Sequence, residues 1–189
     1  MAGKFLSDIQ EIRRRARQHI EAGAMTPGYK ADRETVVRLL NEALATELVC
    51  VLRYKRHYYM AQGLTSSSIA DEFLEHATDE QDHADRIAFR ITQLDGEPNY
   101  DPDTLTTRSH AEYKPGADLV DMLREDLVAE RIAIESYSEI IRFVGNDDPV
   151  TRRLMEDILA KEEEHANDLQ DLLGRLDVET NGKKARRNA

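Results

Sequence analysis

Residues 158–169 read Ile-Leu-Ala-Lys-Glu-Glu-Glu-His-Ala-Asn-Asp-Leu. Ile158 and Leu169 belong to a run of apolar residues, from Leu154 to Leu172 and Leu176, spaced at roughly helical intervals. Glu162 and His165 fall on the same face, four and seven positions after Ile158, where two more hydrophobes are expected. A Glu and a His at i and i+3 point the same way from a helix, so both face inward and both reach a common point. Burying an unpaired carboxylate costs several kcal/mol. A cation held between such groups removes that cost.

The pattern is not alone. Glu80-Gln81-Asp82-His83 repeats the Glu-x-x-His spacing and lies between Phe73 and Ala77 on one side and Ile87 on the other. Two further apolar stripes are interrupted by a single acid: Glu47 between Leu44 and Val51, and Glu130 between Leu127 and Ile134. Glu80 follows Glu47 by 33 positions, and Glu162 follows Glu130 by 32. One Glu-x-x-His in an acidic helical chain reads as a solvated face. Two copies on core positions, each preceded by an inward Glu on the helix before, read as a two-metal site inside a helical bundle. Four carboxylates match the charge of two divalent ions. Oxygen donors with one imidazole per ion suit iron or manganese.

Turn signals cut the chain around these residues into four long helices. The first spans about Glu34 to Gln62 and stops at Gly63, with Thr65-Ser66-Ser67-Ser68 offering N-caps for the second. The second runs from about Ser68 to Leu94 and ends at Asp95-Gly96. The third runs from about Ala117 to Val144, carrying Leu119, Leu123, Leu127, Ile134, Tyr137 and Ile141, and breaks at Gly145. Pro149 opens the fourth. Between the second and third lies DGEPNYDPDTLTTRSHAEYKPG, residues 95–116. Helices of about 26 residues are about 39 Å long, and a linker of this size, at roughly 3.3 Å per extended residue, crosses that length. The fold expected is therefore an all-α four-helix bundle with one long crossover between helices two and three. Residues 1–33 form an extension with a short amphipathic helix from Phe5 to about Glu21. Residues 34–176 form the bundle, and residues 177–189 are expected as a basic, disordered tail.

The totals agree with one soluble helical domain: 189 residues, 33% charged, 9 Gly and 5 Pro. A net charge of -11 disfavours non-specific contact with phosphate backbones. Cys50 is the single cysteine, so no internal disulfide forms and a reducing compartment is the simplest expectation. There is no signal-like N-terminus and no run of about 18 apolar residues. A cytoplasmic protein without a membrane span is expected.

With these motifs the sequence resembles bacterioferritin, a branch of the ferritin-like di-iron superfamily, over about Val36 to Leu176. The matching stretches are NEALATELVCVLRY around Glu47, DEQDHADRIAFRITQLDGEPN around Glu80 and His83, and ILAKEEEHANDL around Glu162 and His165. The resemblance implies two iron ions per subunit, with Glu80 and Glu162 bridging, Glu47 and His83 completing one iron, and Glu130 and His165 the other. It implies a ferroxidase that oxidises Fe(II) with dioxygen or hydrogen peroxide and delivers stored ferric mineral, in a homo-oligomer. Tyr54, seven residues after Glu47, matches a bacterioferritin tyrosine, which implies a hydrogen bond to a ligand or an electron-donor role. Tyr137, seven after Glu130, reads as a core tyrosine, and His76 as an ordinary helix histidine.

Three departures bear on what surrounds the site. Gln81 stands where bacterioferritins carry their haem-ligating methionine, which argues against haem. The short fifth helix that helps close a bacterioferritin's 24-subunit shell has no clear counterpart in the polar, basic DVETNGKKARRNA after Leu176. About thirty residues precede the first bundle helix, where bacterioferritin starts almost at once. A dimer, a 12-subunit Dps-like shell and a 24-subunit cage all stay open. The alternatives to iron storage are a manganese- or iron-dependent peroxide-scavenging enzyme, and a Dps-like DNA-protecting protein binding through Arg13, Arg14, Arg15 and Arg17 and through Lys183, Lys184, Arg186 and Arg187. The overall negative charge favours reading those basic clusters as solvated surface.

Overall fold

The structure, a computed structural model, describes residues 8–61 and 67–187. Four long helices carry it: α2 (Arg33–Ala61), α3 (Ser67–Gln93), α5 (Leu119–Val144) and α6 (Pro149–Arg187). A short α1 (Ile9–Arg15) and a 3₁₀ turn (Ile20–Ala22) precede them, and a four-residue α4 (Leu105–Arg108) sits within the crossover. α2 packs along α3 and α5 along α6, and the two pairs meet through α2 with α5 and α3 with α6.

Three of the long helices, α2, α5 and α6, start where an aspartate side chain accepts from a free N–H of the first turn. Asp32 accepts from the Thr35 hydroxyl (2.7 Å) and its carbonyl from the Val36 N–H (2.9 Å). Asp118 accepts from the Asp121 N–H (2.9 Å), and Asp148 from the Thr151 N–H (2.9 Å). Pro149 then occupies the first position of α6, whose missing N–H costs nothing there. After α3 the chain turns at Gly96. A Cβ there would stand 2.8 Å from the Val37 Cγ1, so the turn can press against α2 only without a side chain.

The crossover runs the length of α2 in order. Asn41 accepts from the Asn99 N–H (2.7 Å), and the Thr46 hydroxyl from the His110 N–H (3.0 Å). Arg53 donates to the Glu112 carbonyl (3.0 Å), and His57 Nε2 lies 3.1 Å from that of Pro115. α5 therefore begins beside the end of α2 and runs antiparallel to it. The long connection anticipated from residues 95–116 is thus a strap hydrogen-bonded to one helix.

The core is two apolar halves separated by a polar layer. One half gathers Leu40, Leu44, Ile87, Ile91, Tyr137 and Ile158, and the other Tyr54, Phe73, Ala77, Leu123, Ala129 and Leu169. α5 presents a slightly different face from the one its larger hydrophobes suggest. Its buried positions include Met122, Asp126, Ala129 and Ala133, while Leu127 and Ile134 are only half-buried. Small alanines let α5 approach its neighbours closely, and Asp126 is buried because it pairs with Arg53 (2.8 Å) and His57 (2.8 Å).

At the termini the structure departs from expectation. The helix expected from Phe5 to Glu21 ends at Arg15 and buries nothing, while its expected first residues, 5–7, lie outside the described ones. At the other end, the backbone stays helical to Arg187 where a disordered tail was expected. Extending an existing helix needs no new nucleus, and the segment lacks proline; Gly182 alone costs about 1 kcal/mol. The N-terminal extension is tied down by Tyr29, whose hydroxyl donates to Asp148 (2.9 Å). Among the described residues no helix is long and apolar enough to cross a membrane.

Candidate metal centre

All six inward acids and histidines converge between the two apolar halves. α2 supplies Glu47, α3 supplies Glu80 and His83, α5 supplies Glu130, and α6 supplies Glu162 and His165. None is more than 3% exposed. They fall into two overlapping groups, Glu47–Glu80–His83–Glu162 and Glu80–Glu130–Glu162–His165, and within each group donor atoms lie within 4.8 Å of one another. Glu80 and Glu162 belong to both. His83 Nδ1 stands 2.9 Å from Glu162, 3.4 Å from Glu80 and 3.6 Å from Glu47. His165 Nδ1 stands 3.5 Å from Glu162, 3.7 Å from Glu80 and 4.0 Å from Glu130.

The donor atoms fit a pair of divalent cations. Glu80 Oε1, both Glu162 oxygens, His83 Nδ1 and His165 Nδ1 are buried with no hydrogen-bond partner. Buried polar atoms in this number are otherwise satisfied, and a metal ion is the group that would satisfy all of them at once. The electrostatics agree. Burial and the nearby Glu80 charge push the Glu47 carboxyl up to about 8, and burial with Glu80 and Glu162 lifts Glu130 well above the usual range. Burial opposes charge on the imidazoles, yet the surrounding carboxylates prevail. They push His165 up to about 10 and hold His83 well above its ordinary value. The cluster holds protons that two cations would displace.

A second ring of residues orients the first. Tyr54, the tyrosine seven positions after Glu47, donates to Glu130. Tyr137, seven positions after Glu130, donates to Glu47. Each phenol thus crosses from its own helix to the acid of the facing one. Burial keeps both hydroxyls protonated far above their usual range, so they act as donors. His165 Nε2 faces Asp79 at 3.2 Å. A carboxylate only accepts, so that nitrogen carries a proton, and Nδ1 is the nitrogen left to face the cluster and would offer its lone pair to a cation that displaces its proton. Lys161 reaches the same Asp79 oxygen (3.3 Å).

Three of these partners were not legible beforehand. Tyr137 read as core, although its spacing from Glu130 equals that of Tyr54 from Glu47. His76 read as an ordinary histidine, yet it is buried and stacks on His165 with ring centroids 3.9 Å apart. Asp79 carried no signal, since an acid on an acidic helix stands out from nothing. A separate groove of about 1030 Å³ between α2 and α5, lined by Leu39, Val128, Ile132 and Phe143 among others, contains none of the six residues.

The family model described as a ferritin-like domain matches residues 37–178. A bacterioferritin of Mycobacterium avium is 32% identical over 148 residues, covering 76% of this chain and 89% of that one. Among solved structures, the bacterioferritin-related protein of Bacteroides fragilis, described as a dodecameric thioferritin, superposes with a TM-score of 0.77. It is 33% identical, covering 81% of this chain and 92% of that one. The bacterioferritin of Desulfovibrio desulfuricans, whose description names a diiron site, superposes with a TM-score of 0.69. It is 26% identical, covering 77% of this chain and 81% of that one.

Proposed function

The chain belongs to the ferritin family of ferritin-like domains, and from that premise we propose that it is a ferroxidase that oxidises Fe(II) and stores or detoxifies the Fe(III) formed. The observation that carries this reading is the pair of overlapping donor groups that share Glu80 and Glu162. Glu47 and His83 would hold one ion and Glu130 and His165 the other, with Glu80 and Glu162 between them. Fe(II) is the substrate as well as the occupant. Each ion gives up one electron, and a pair supplies the two that reduce dioxygen to hydrogen peroxide or hydrogen peroxide to water, with protons taken up in balance.

The chain's own residues perform the rest. Tyr54 and Tyr137 hold the two terminal carboxylates in place, and Asp79 fixes the His165 tautomer. The apolar layers on either side exclude bulk water, which strengthens every charge interaction within. Protons released from the carboxylates and imidazoles when Fe(II) enters compensate the incoming charge.

The description of the Bacteroides fragilis relative as a dodecamer supports a homo-oligomer here, with twelve subunits as the expected size. Native mass of the purified protein tests that. The function is tested by metal analysis after native purification and by Fe(II) oxidation with dioxygen and with peroxide. Glu80→Ala and His165→Ala should each abolish rapid oxidation; wild-type rates in both would overturn the assignment.

A further inference from the structure

The stripe of donors on α3 and α6 does not end at the six-residue cluster. On α3, Glu72 and His76 precede Glu80 at helical spacing, and on the antiparallel α6, Asp168 follows His165 by three. Glu72, His76 and Asp168 each bring one donor atom within 4.8 Å of the others. His76 Nε2 lies 3.5 Å from Glu72 Oε1. His76 is 2% exposed, and that nitrogen is buried without a hydrogen-bond partner.

The proton count on His76 decides what this trio wants. Tyr54 donates its hydroxyl hydrogen bond to Glu130, so its oxygen is free to accept, and it lies 3.2 Å from His76 Nδ1. Nδ1 therefore carries the hydrogen, and Nε2 presents a lone pair toward Glu72 and Asp168. A lone pair and two carboxylates facing one point repel one another unless a cation sits among them. Two carboxylates and one neutral imidazole are a ligand set for a divalent first-row ion. Unlike the six-residue cluster, this point is reachable: the Glu72 side chain is 30% exposed and Asp168 is half-buried.

We propose that Glu72, His76 and Asp168 form a third, mononuclear divalent-cation site that stages ions for the Glu130–His165 half of the centre. His76 provides the continuity. It also shares a donor group with Glu130 and His165, again within 4.8 Å, and its ring lies flat on His165. The staging role rests on the two-metal reading of the centre; binding at the third site does not.

Because His76 is buried, the test uses the better-exposed carboxylates. Co(II) bound per chain is counted by equilibrium dialysis of the full-length protein, wild type against E72Q/D168N and against E47A/E130A, with the visible Co(II) bands followed in time. Three ions in wild type and two in E72Q/D168N are expected, with E47A/E130A keeping the ion at Glu72, His76 and Asp168. Equal counts in wild type and E72Q/D168N would overturn the third site while leaving the centre intact. A single wild-type ion that disappears in E72Q/D168N would uphold the third site and sink the two-metal centre. The Co(II) bands of the centre should also develop several-fold more slowly in E72Q/D168N. An unchanged filling rate would overturn the staging role. An anomalous Co signal among the three side chains in crystals would place the ion directly.

Discussion

Tyr137 on α5 donates its hydroxyl hydrogen bond to Glu47 on α2. Tyr54 on α2 returns the relation by donating to Glu130 on α5, so the two halves of the bundle are stitched by the same device used twice. The symmetry makes a quantitative demand. Tyr54→Phe and Tyr137→Phe should weaken metal binding to a similar degree, roughly 10- to 100-fold as for other groups that orient ligands. Titration with Co(II) or anaerobic Fe(II) measures this, and a large effect from only one substitution would show that the two phenols do different work.

Metal binding should become stronger as pH rises. Without metal the cluster holds protons on groups shifted upward, Glu47 to about 8 and His165 to about 10. Bound ions require those groups deprotonated, so each ion entering near neutral pH releases protons and competes with them. Affinity should rise through the range from neutral to about 10. Calorimetry in buffers of different ionisation enthalpy counts the protons directly. An affinity independent of pH would mean the cluster is already deprotonated.

Divalent ions should also stabilise the fold. Without them the buried donor atoms of Glu80, Glu162, His83 and His165 lack a partner, and ligand binding to the native state alone adds about 4 kcal/mol when free ion exceeds the dissociation constant about 1,000-fold. Scanning calorimetry with and without a chelator should show the transition falling on metal removal. In E47A/E130A most of that response should vanish.

Asp148 should be a stability hub remote from the chemistry. It caps α6 through Thr151, accepts from Tyr29 of the N-terminal extension, and pairs with Arg90 of α3 at 2.8 Å. Asp148→Ala removes the α6 cap, leaves the Arg90 charge without its carboxylate and Tyr29 without its acceptor, and should cost about 3 kcal/mol, read by chemical denaturation. Burial works against the Asp148 charge, but the hydrogen bonds from Thr151 and Tyr29 and the Arg90 charge hold its carboxyl below the ordinary 3.8. Its contribution is therefore present above that value and lost as the pH falls through the lower, folded-state value. The wild type should lose stability in that acidic window more steeply than Asp148→Ala does.

The amino-acid sequence alone determined the helices and the six inward donors. A hydrophobic stripe has a fixed period, and an acid or histidine on it is conspicuous. Glu47, Glu80, His83, Glu130, Glu162 and His165 all announced themselves by interrupting a stripe, and residues 95–116 announced the crossover by their length. What surrounds those donors was decided only by the tertiary structure. The bonds from Tyr137 to Glu47 and from Tyr54 to Glu130 cross between helices whose relative rotation no single stripe encodes. His76 and Asp79 sit on α3 among other polar residues, and only the approach of α6 turns one toward Asp168 and the other toward His165. Arg53, His57 and Asp126 look like surface charges in sequence and become a buried network because the strap covers them. Periodicity reports which way a residue faces on its own helix; which residue it then meets depends on how the helices pack.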